Sequence, residues 1–568
     1  MKKIPQHLKQ YVVKQNYKHY TYIDQACWQF IMKISIDFFE KFADKVYKKG
    51  LEKTGITLNK IPRIETINKK LSTFGWNAVC VRGFIPPQAF MEFQSLKILP
   101  IAADMRSHKH LTYTPSPDIV HEAAGHAPII ANKDYANYLI NYGEIASKAI
   151  MSSEDMELYY AIRDLSDIKE NVHAAKKDIS KYEQKLQAAY KNISYISESS
   201  LLSRMNWWTV EYGLIGHITN PKIYGAGLLS SVGESENCIT NKVKKIPFSL
   251  DCLNYKYDIT EQQPQLFVAP NYNFLSKELK NLSTKLSYKI GGIHGVETAI
   301  KAKTICTVEI DKQIQISGLV SRYIKTNNKI NFIKLEGPSQ ICINNKEIKN
   351  HGIEYHSQGY STPIGNILEY KKPLNKLNAE QIKKLKIQIN KNVSLIFENN
   401  IQLQGTVTKI HKVDNQIRIL TFKNCTVNYN NEVLFQPDWG FFDLICGNSI
   451  TSVYGGPCDK VKYYSNSQSN SLYSEKYNTN TKVATNSKLN NLFKELKYIR
   501  TNKGYEKFYK KLKVQKINDW LLKYKLLESV SCDRNIEWIN KLYYEIEELS
   551  QNNSDLSRAI LRGLLLFK

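Results

Sequence analysis

Two stretches of this chain repeat each other without a gap. "IQISGLVSRYIKTNNKINFIKLEG" begins at Ile314 and "IQLQGTVTKIHKVDNQIRILTFKN" begins at Ile401, an offset of 87 residues. Gly318 meets Gly405, Val320 meets Val407, Lys325 meets Lys412, Asn328 meets Asn415 and Ile330 meets Ile417. Each copy reads as a strand, a turn at "TNN" or "VDN", and a second strand. Two such hairpins packed together predict a small β-barrel or sandwich. They sit in a longer stretch of short alternating runs, about residues 303–463.

That stretch divides the rest of the chain. Residues 1–300 mix helical patterns with Pro- and Gly-marked loops. Residues 464–487, "YSNSQSNSLYSEKYNTNTKVATNS", are polar and read as a linker. Residues 488–568 have helical spacing, as in "EWINKLYYEIEEL", and read as a small helical region. The fold expected is multi-domain: a mainly α unit, a β-rich domain with an internal hairpin repeat, and a C-terminal helical region. A structural or interaction role is the expectation for 303–463.

Several function classes are disfavoured. The formal charge is +26, but the lysines are dispersed and no dense basic block or nucleic-acid signature appears. No nucleic-acid partner is therefore expected. No apolar run reaches membrane-spanning length, and the basic N-terminus lacks the apolar core of a secretory signal. Ten cysteines are scattered with no close pair, which favours reduced thiols and a cytoplasmic location.

The chemistry concentrates at "PDIVHEAAGH", residues 117–126. Ser116 reads as an N-cap and Pro117 as the first helical residue, and Pro128 should stop the helix at Ala127. His121 and His126 are five apart, about 140° out of register on a regular α-helix. Both rings reach one ion only if the turn widens or His126 lies just past the helix. Gly125 eases either deformation. A zinc-protease pattern needs a spacing of four. Two histidines with a distant carboxylate instead suit non-haem Fe(II) oxygen chemistry. Glu211 in "NWWTVEYGL" offers that carboxylate, with a buried, hydrogen-bonded glutamate as the alternative. His351 and His356, in "HGIEYH", are also five apart and read as turn or surface histidines.

The order of "YTYIDQACWQF", "YTPSPDIVHEAAGHAPII", "WWTVEYGL", "YGAGLLSSVGE" and "YDITEQQPQLFVAPNYNF" resembles the tetrahydropterin-dependent aromatic amino acid hydroxylases. The likeness covers about residues 18–295, and the phenylalanine 4-hydroxylases match best. It implies the mainly α catalytic domain of that family over 1–300. His121, His126 and Glu211 then look like the iron ligands, leaving positions open for water and O2. Arg106 matches the arginine that grips the substrate carboxylate, a task for a bidentate guanidinium. Asp118 matches an acid supporting both that arginine and His121. Tyr113, Thr114, Gly227 and Ser230 fall near the amino acid, and Trp207 against its ring. Ile85 and Phe90, in "GFIPPQAF", would cover and stack on the pterin, with Glu122 hydrogen-bonding it. The implied activity is ring hydroxylation of a free aromatic amino acid, L-phenylalanine to L-tyrosine, with Fe(II), O2 and tetrahydrobiopterin or a related tetrahydropterin. Tyrosine or tryptophan as substrate, or a non-catalytic scaffold acting through 303–463, are the alternatives.

The chain departs from the family in places. His126 and Glu211 are 85 residues apart, with a helical insertion over about 160–203. That insertion reads as an oligomer contact more readily than as a lid. Asn206 stands before the tryptophan pair where the animal enzymes have tyrosine.

Overall fold

The computed structural model describes residues 4–567 except 82, 84, 107, 109–110, 112–116, 171–174, 258–260, 466–486, 531 and 552–555. Most of the linker expected at 464–487 falls outside these residues, as do Ser116, Tyr113 and Thr114.

Residues up to about 300 are mainly helical. The long helix Tyr22–Phe42 starts at a reciprocal cap: the Thr21 hydroxyl accepts from the Asp24 N–H, and the Asp24 carboxylate accepts from the Thr21 N–H. It buries Cys27, Trp28, Phe30, Ile31 and Ile34 almost completely. A parallel strand pair, Asn77–Val81 and Ile98–Ala102, is crossed over by the helix Pro87–Ser95. A four-stranded sheet runs in the order 222–223, 214–215, 265–269, 244–247. The buried Glu198 carboxylate accepts from the N–H groups of Ile150 and Ser287, tying three segments together.

The insertion forms two helices, Ser153–Glu170 and Lys176–Asn192, joined by the ion pairs Lys169–Glu183 and Lys185–Asp164. The second helix buries only Ala189. It stands away from the core.

Between residues 305 and 455 the chain is mainly strand, in two large sheets and a two-stranded one, Asn366–Ile367 with Lys372–Pro373, with one short helix, Ala379–Lys384. Ile314–Thr326 pairs with Lys329–Ile343, and Ile401–Val413 with Gln416–Tyr429. Both hairpins turn on two residues with positive φ, Asn327–Asn328 and Asp414–Asn415. Their irregularities also correspond. Register shifts fall at 317/319, 320/322 and 324/325 in one, and at 404/406, 407/409 and 411/412 in the other. Each hairpin carries a further antiparallel strand, Gly359–Pro363 on the first and Phe442–Ile445 on the second. Each sheet has its own apolar core, the first against the helix Gly292–Ala302.

The C-terminal helices are not a separate body. Their apolar residues join the same core as the helix Tyr22–Phe42. Phe30 meets Trp520 and Tyr524 edge-on at ring distances of 5.0 and 4.7 Å, contacts worth about 0.5–1.5 kcal/mol each beyond area burial. Amphipathic spacing marks a face as buried without saying what covers it. Here the cover is a helix more than 450 residues upstream.

Candidate metal centre and active site

The segment carrying the histidine pair is a π-helix, Val120–His126, continued by an α-helical turn, Ala127–Ile129. Its i→i+5 bonding places residues five apart on nearly one face. Of the two deformations the spacing allows, the widened turn is the one observed. The helix does not stop at Ala127, which keeps helical φ and ψ of −59° and −40°. The wide turn before Pro128 relieves the clash its ring would otherwise make with the preceding turn. The cap also moves. Helical structure begins at Ile119, so Pro117 lies outside it, and the Asp118 carboxylate accepts from the His121 N–H at 2.9 Å.

Gly125 serves a different purpose from flexibility. A Cβ there would lie 2.7 Å from the carbonyl oxygen of Ala226. The glycine lets the short helix Ala226–Ser230 press against the π-turn. From the other side, a Cβ on Gly227 would meet the Tyr212 ring at 2.8 Å and the Glu211 carbonyl at 2.9 Å.

Glu211 ends a second π-helix, Trp207–Glu211. Three donor atoms converge. His121 Nε2 and His126 Nε2 are 3.2 Å apart, and Glu211 oxygens lie 3.3 and 3.4 Å from them. Donors held about 2.1 Å from one ion at roughly 100° are about 3.2 Å apart, so this set fits a single metal. Burial alone would raise the Glu211 carboxyl, but the two imidazoles hold it well below the usual carboxylate range. Asn206 approaches Glu211 Oε1 through its amide at 3.5 Å.

The surroundings orient these ligands. His121 Nδ1 hydrogen-bonds the Ser230 hydroxyl at 3.0 Å. Ser230 therefore supports a ligand, a role its sequence context did not suggest. Arg106 forms a buried bidentate pair with Asp118, Nε at 2.7 Å and Nη2 at 2.8 Å. Its Nη1 donates to the Ser230 carbonyl at 2.9 Å and to that of Leu111 at 3.5 Å. Among the described residues these bonds leave one Nη2 hydrogen for another acceptor. Burial would raise the Asp118 carboxyl, yet Arg106 keeps it below its ordinary value. Glu122 is buried beside the histidine pair, its Oε2 4.0 Å from His126 Nε2 and without a hydrogen-bond partner among the described residues. Burial pushes its carboxyl up to about 8.

Trp207 is placed differently from the expectation. Its indole stacks on Tyr212 at 4.5 Å and on Tyr257 at 4.4 Å. Two rings that close cannot share one face of an indole, so both faces are taken. An edge and the unpartnered Nε1 remain for a ligand. Ile85 packs with Leu8, Val79 and Phe93 in a small satellite core. Phe90 is half-buried on the helix Pro87–Ser95. No hydrogen bond or ring contact joins either to the three donors among the described residues. The structure thus brings together His121, His126, Glu211, Glu122, Arg106, Asp118, Gly227 and Ser230, and leaves the pterin-loop residues apart.

A π-helical histidine pair, a remote glutamate and a buried Arg–Asp brace form a candidate metal site on a mainly helical body. The family described as biopterin-dependent aromatic amino acid hydroxylase matches residues 6–156 and 174–316. The chain belongs to this family. The unmatched residues 157–173 include most of the first insertion helix. The chain is 27% identical over 268 residues to phenylalanine-4-hydroxylase of Pseudomonas aeruginosa, covering 46% of this chain and 85% of that one. It is 26% identical to the Chromobacterium violaceum enzyme over 268 residues, covering 47% and 75%. A crystal structure of the latter with iron(III) and 7,8-dihydrobiopterin aligns with a TM-score of 0.39 and 25% identity, covering 48% of this chain and 85% of that one.

Proposed function

We propose that the chain hydroxylates the ring of a free aromatic amino acid, L-phenylalanine to L-tyrosine, using Fe(II), O2 and a tetrahydropterin. The convergence of His121, His126 and Glu211 within 3.2–3.4 Å carries the reading. Two imidazoles and one carboxylate suit Fe(II) and leave coordination positions open. The names of the similar enzymes support phenylalanine as substrate and biopterin as cofactor.

When bound, the iron and reduced pterin supply the activation of O2. The chain supplies position. The free Nη2 hydrogen of Arg106 receives a substrate carboxylate oxygen, and Asp118 keeps the guanidinium from turning away. Ser230 fixes the His121 ring through Nδ1, so Nε2 faces the ligand set. Glu122, drawn toward its neutral form by burial, offers a proton at its carboxyl to a pterin nitrogen or carbonyl. Trp207 meets the substrate ring edge-on. Gly227 keeps this wall close; Tyr113 and Thr114, which lie outside the described residues, are assigned to the amino acid by the family resemblance alone. Ile85, and Phe90 on the helix Pro87–Ser95, cover and stack on the pterin, as the family resemblance implies.

Residues 1–300 form the catalytic unit in this reading, with 160–203 inserted as an oligomer contact. Residues 303–463 are a duplicated module, 464–487 a linker, and 488–568 a helical region that braces the catalytic unit. Ten free cysteines, nine of them buried, support a reducing cytoplasm.

The test is anaerobic loading with Fe(II), then air, tetrahydrobiopterin and each aromatic amino acid in turn, with products read by mass. Phenylalanine gains one oxygen, and His121→Ala and Glu211→Ala abolish the gain. Oxidation of tyrosine or tryptophan in its place overturns the substrate. Iron binding with no oxidation of any of the three overturns the activity.

A further inference from the structure

A second cluster of metal-ligating side chains lies in the β-rich half, far along the chain from the first. His351 and His356 sit in the loop between Lys346–Glu347 and Gly359–Pro363, and Asp443 on the strand Phe442–Ile445. His351 Nδ1 and His356 Nε2 are 3.3 Å apart, nearly the nitrogen separation of the first site. Asp443 Oδ2 lies 3.8 and 4.0 Å from them. We propose that His351, His356 and Asp443 bind a second divalent metal ion, zinc, which clips the two copies of the duplicated hairpin unit together. The proposal is independent of the hydroxylase reading.

Four observations carry it. First, Asp443 is only 2% exposed, and among the described residues no donor reaches its Oδ2 in hydrogen-bond geometry, although the Tyr355 hydroxyl lies near the carboxylate and favours its charged form. A buried carboxylate oxygen left open toward two imidazole nitrogens is costly unless something binds it. Second, the other carboxylate oxygen is already fixed. Asp443 Oδ1 accepts from the Thr421 hydroxyl at 2.5 Å, so Oδ2 is aimed rather than free to turn. Third, the histidines are anchored before any ion arrives. The His351 carbonyl accepts from the Ile341 N–H at 2.9 Å, and the His356 carbonyl from the Ser339 N–H at 3.0 Å. Both rings therefore hang from one strand.

Fourth, the duplication isolates this loop. In the first copy residues 348–358 join the two strands, eleven residues; in the second copy residues 436–441 do so, only six. The longer loop of the first copy holds both histidines, and the acid comes from the second copy. The two copies already meet here, with the Tyr360 hydroxyl donating to the Asp443 carbonyl and the Ile445 N–H to the Thr362 hydroxyl. Two nitrogens, one oxygen and an open fourth position suit zinc. Lys409 of the neighbouring strand adds positive charge, so affinity must come from direct bonds.

The experiment counts metal. The full chain is stripped with a chelator, given excess Zn(II), desalted, and assayed for zinc by mass spectrometry. Wild type, a His351→Gln variant and a His121→Ala/Glu211→Ala variant are compared. His351→Gln is expected to hold one zinc fewer per chain than wild type, and the His121/Glu211 variant to keep one. A His351→Gln variant holding as much zinc as wild type overturns the proposal, as does a His121/Glu211 variant holding none. Should His351→Gln fail to fold, the second variant alone decides. Failure of the first site instead leaves wild type with one zinc and His351→Gln with none. The alternative it excludes is an imidazole–imidazole hydrogen bond with no ion, which binds no zinc and gives no zinc-dependent rise in melting temperature.

Discussion

The chain holds two histidine pairs with the same five-residue spacing, each closed by a carboxylate from elsewhere, and the two are built on unlike backbones. His121 and His126 are brought together by a π-turn wedged against another helix at Gly125. His351 and His356 are brought together by a loop pinned to a strand edge. In the first, the third donor comes from a second π-helix of the same unit; in the second, from the other copy of a duplicated hairpin. Spacing in sequence therefore says little about geometry until the backbone is known. What the pairs share is constraint: Ser230 holds the His121 ring, and strand N–H groups hold the backbone of His351 and His356.

The comparison breaks most sharply at Glu211. Glu211→Gln removes the single anion of the first set, and hydroxylase turnover is expected to fall at least ~10³-fold, while zinc at the second site stays at one per chain. Product by mass and metal content together read both sites in one preparation.

Acid separates the two regions next. Glu92, on the helix Pro87–Ser95, pairs with His7 and with Lys460, just past the last β-strand. Burial opposes ionisation, but these partners hold its carboxyl down to about 2. A depressed carboxylate contributes stability that is present above the unfolded pKa, near 4.5, and is lost as pH falls through the folded value. The contribution is at most ~3 kcal/mol. Denaturant melts from pH 6 to pH 3 should show the first ~2 kcal/mol of that loss in wild type and a smaller loss in Glu92→Gln.

Two glycines give the finest contrast. Gly125→Ala drives a Cβ against backbone, 2.7 Å from the Ala226 oxygen. It is expected to cost about 1–3 kcal/mol in chemical denaturation and to reduce turnover at least ~10-fold. Gly352→Ala, beside His351, meets only the end of the flexible Glu347 side chain at 2.9 Å. Its expected cost is under about 0.5 kcal/mol, with zinc binding unchanged.

Much of the first site was legible because its residues cluster in short motifs. The histidine pair, the acid beside it and the need for either a widened turn or a histidine just past the helix all follow from "PDIVHEAAGH". The purpose of Gly125 did not, since the carbonyl that requires it belongs to Ala226, a hundred residues on. The covered faces of Trp207 were likewise hidden in Tyr257. His351 and His356 read as surface histidines because nothing local marks Asp443 as their neighbour; only the pairing of the two hairpin copies does. The hairpins themselves were legible in alternation and in "TNN" and "VDN", whereas their separate sheets and cores depend on long-range pairing. The C-terminal helices announced their apolar faces and not the partner.

That last contact sets a timetable. Phe30 packs where a Cβ on Gly563 would come within 2.7 Å of it. More than 500 residues of synthesis separate the two, roughly half a minute to two minutes at ribosomal speed. Through that interval the helix Tyr22–Phe42 leaves the ribosome with one aromatic flank bare, so the nascent chain must be sheltered or must hide that flank transiently elsewhere. A stop codon placed near residue 515 would make the wait permanent, and the fragment should be found with chaperones or in the insoluble fraction, its β-rich half intact.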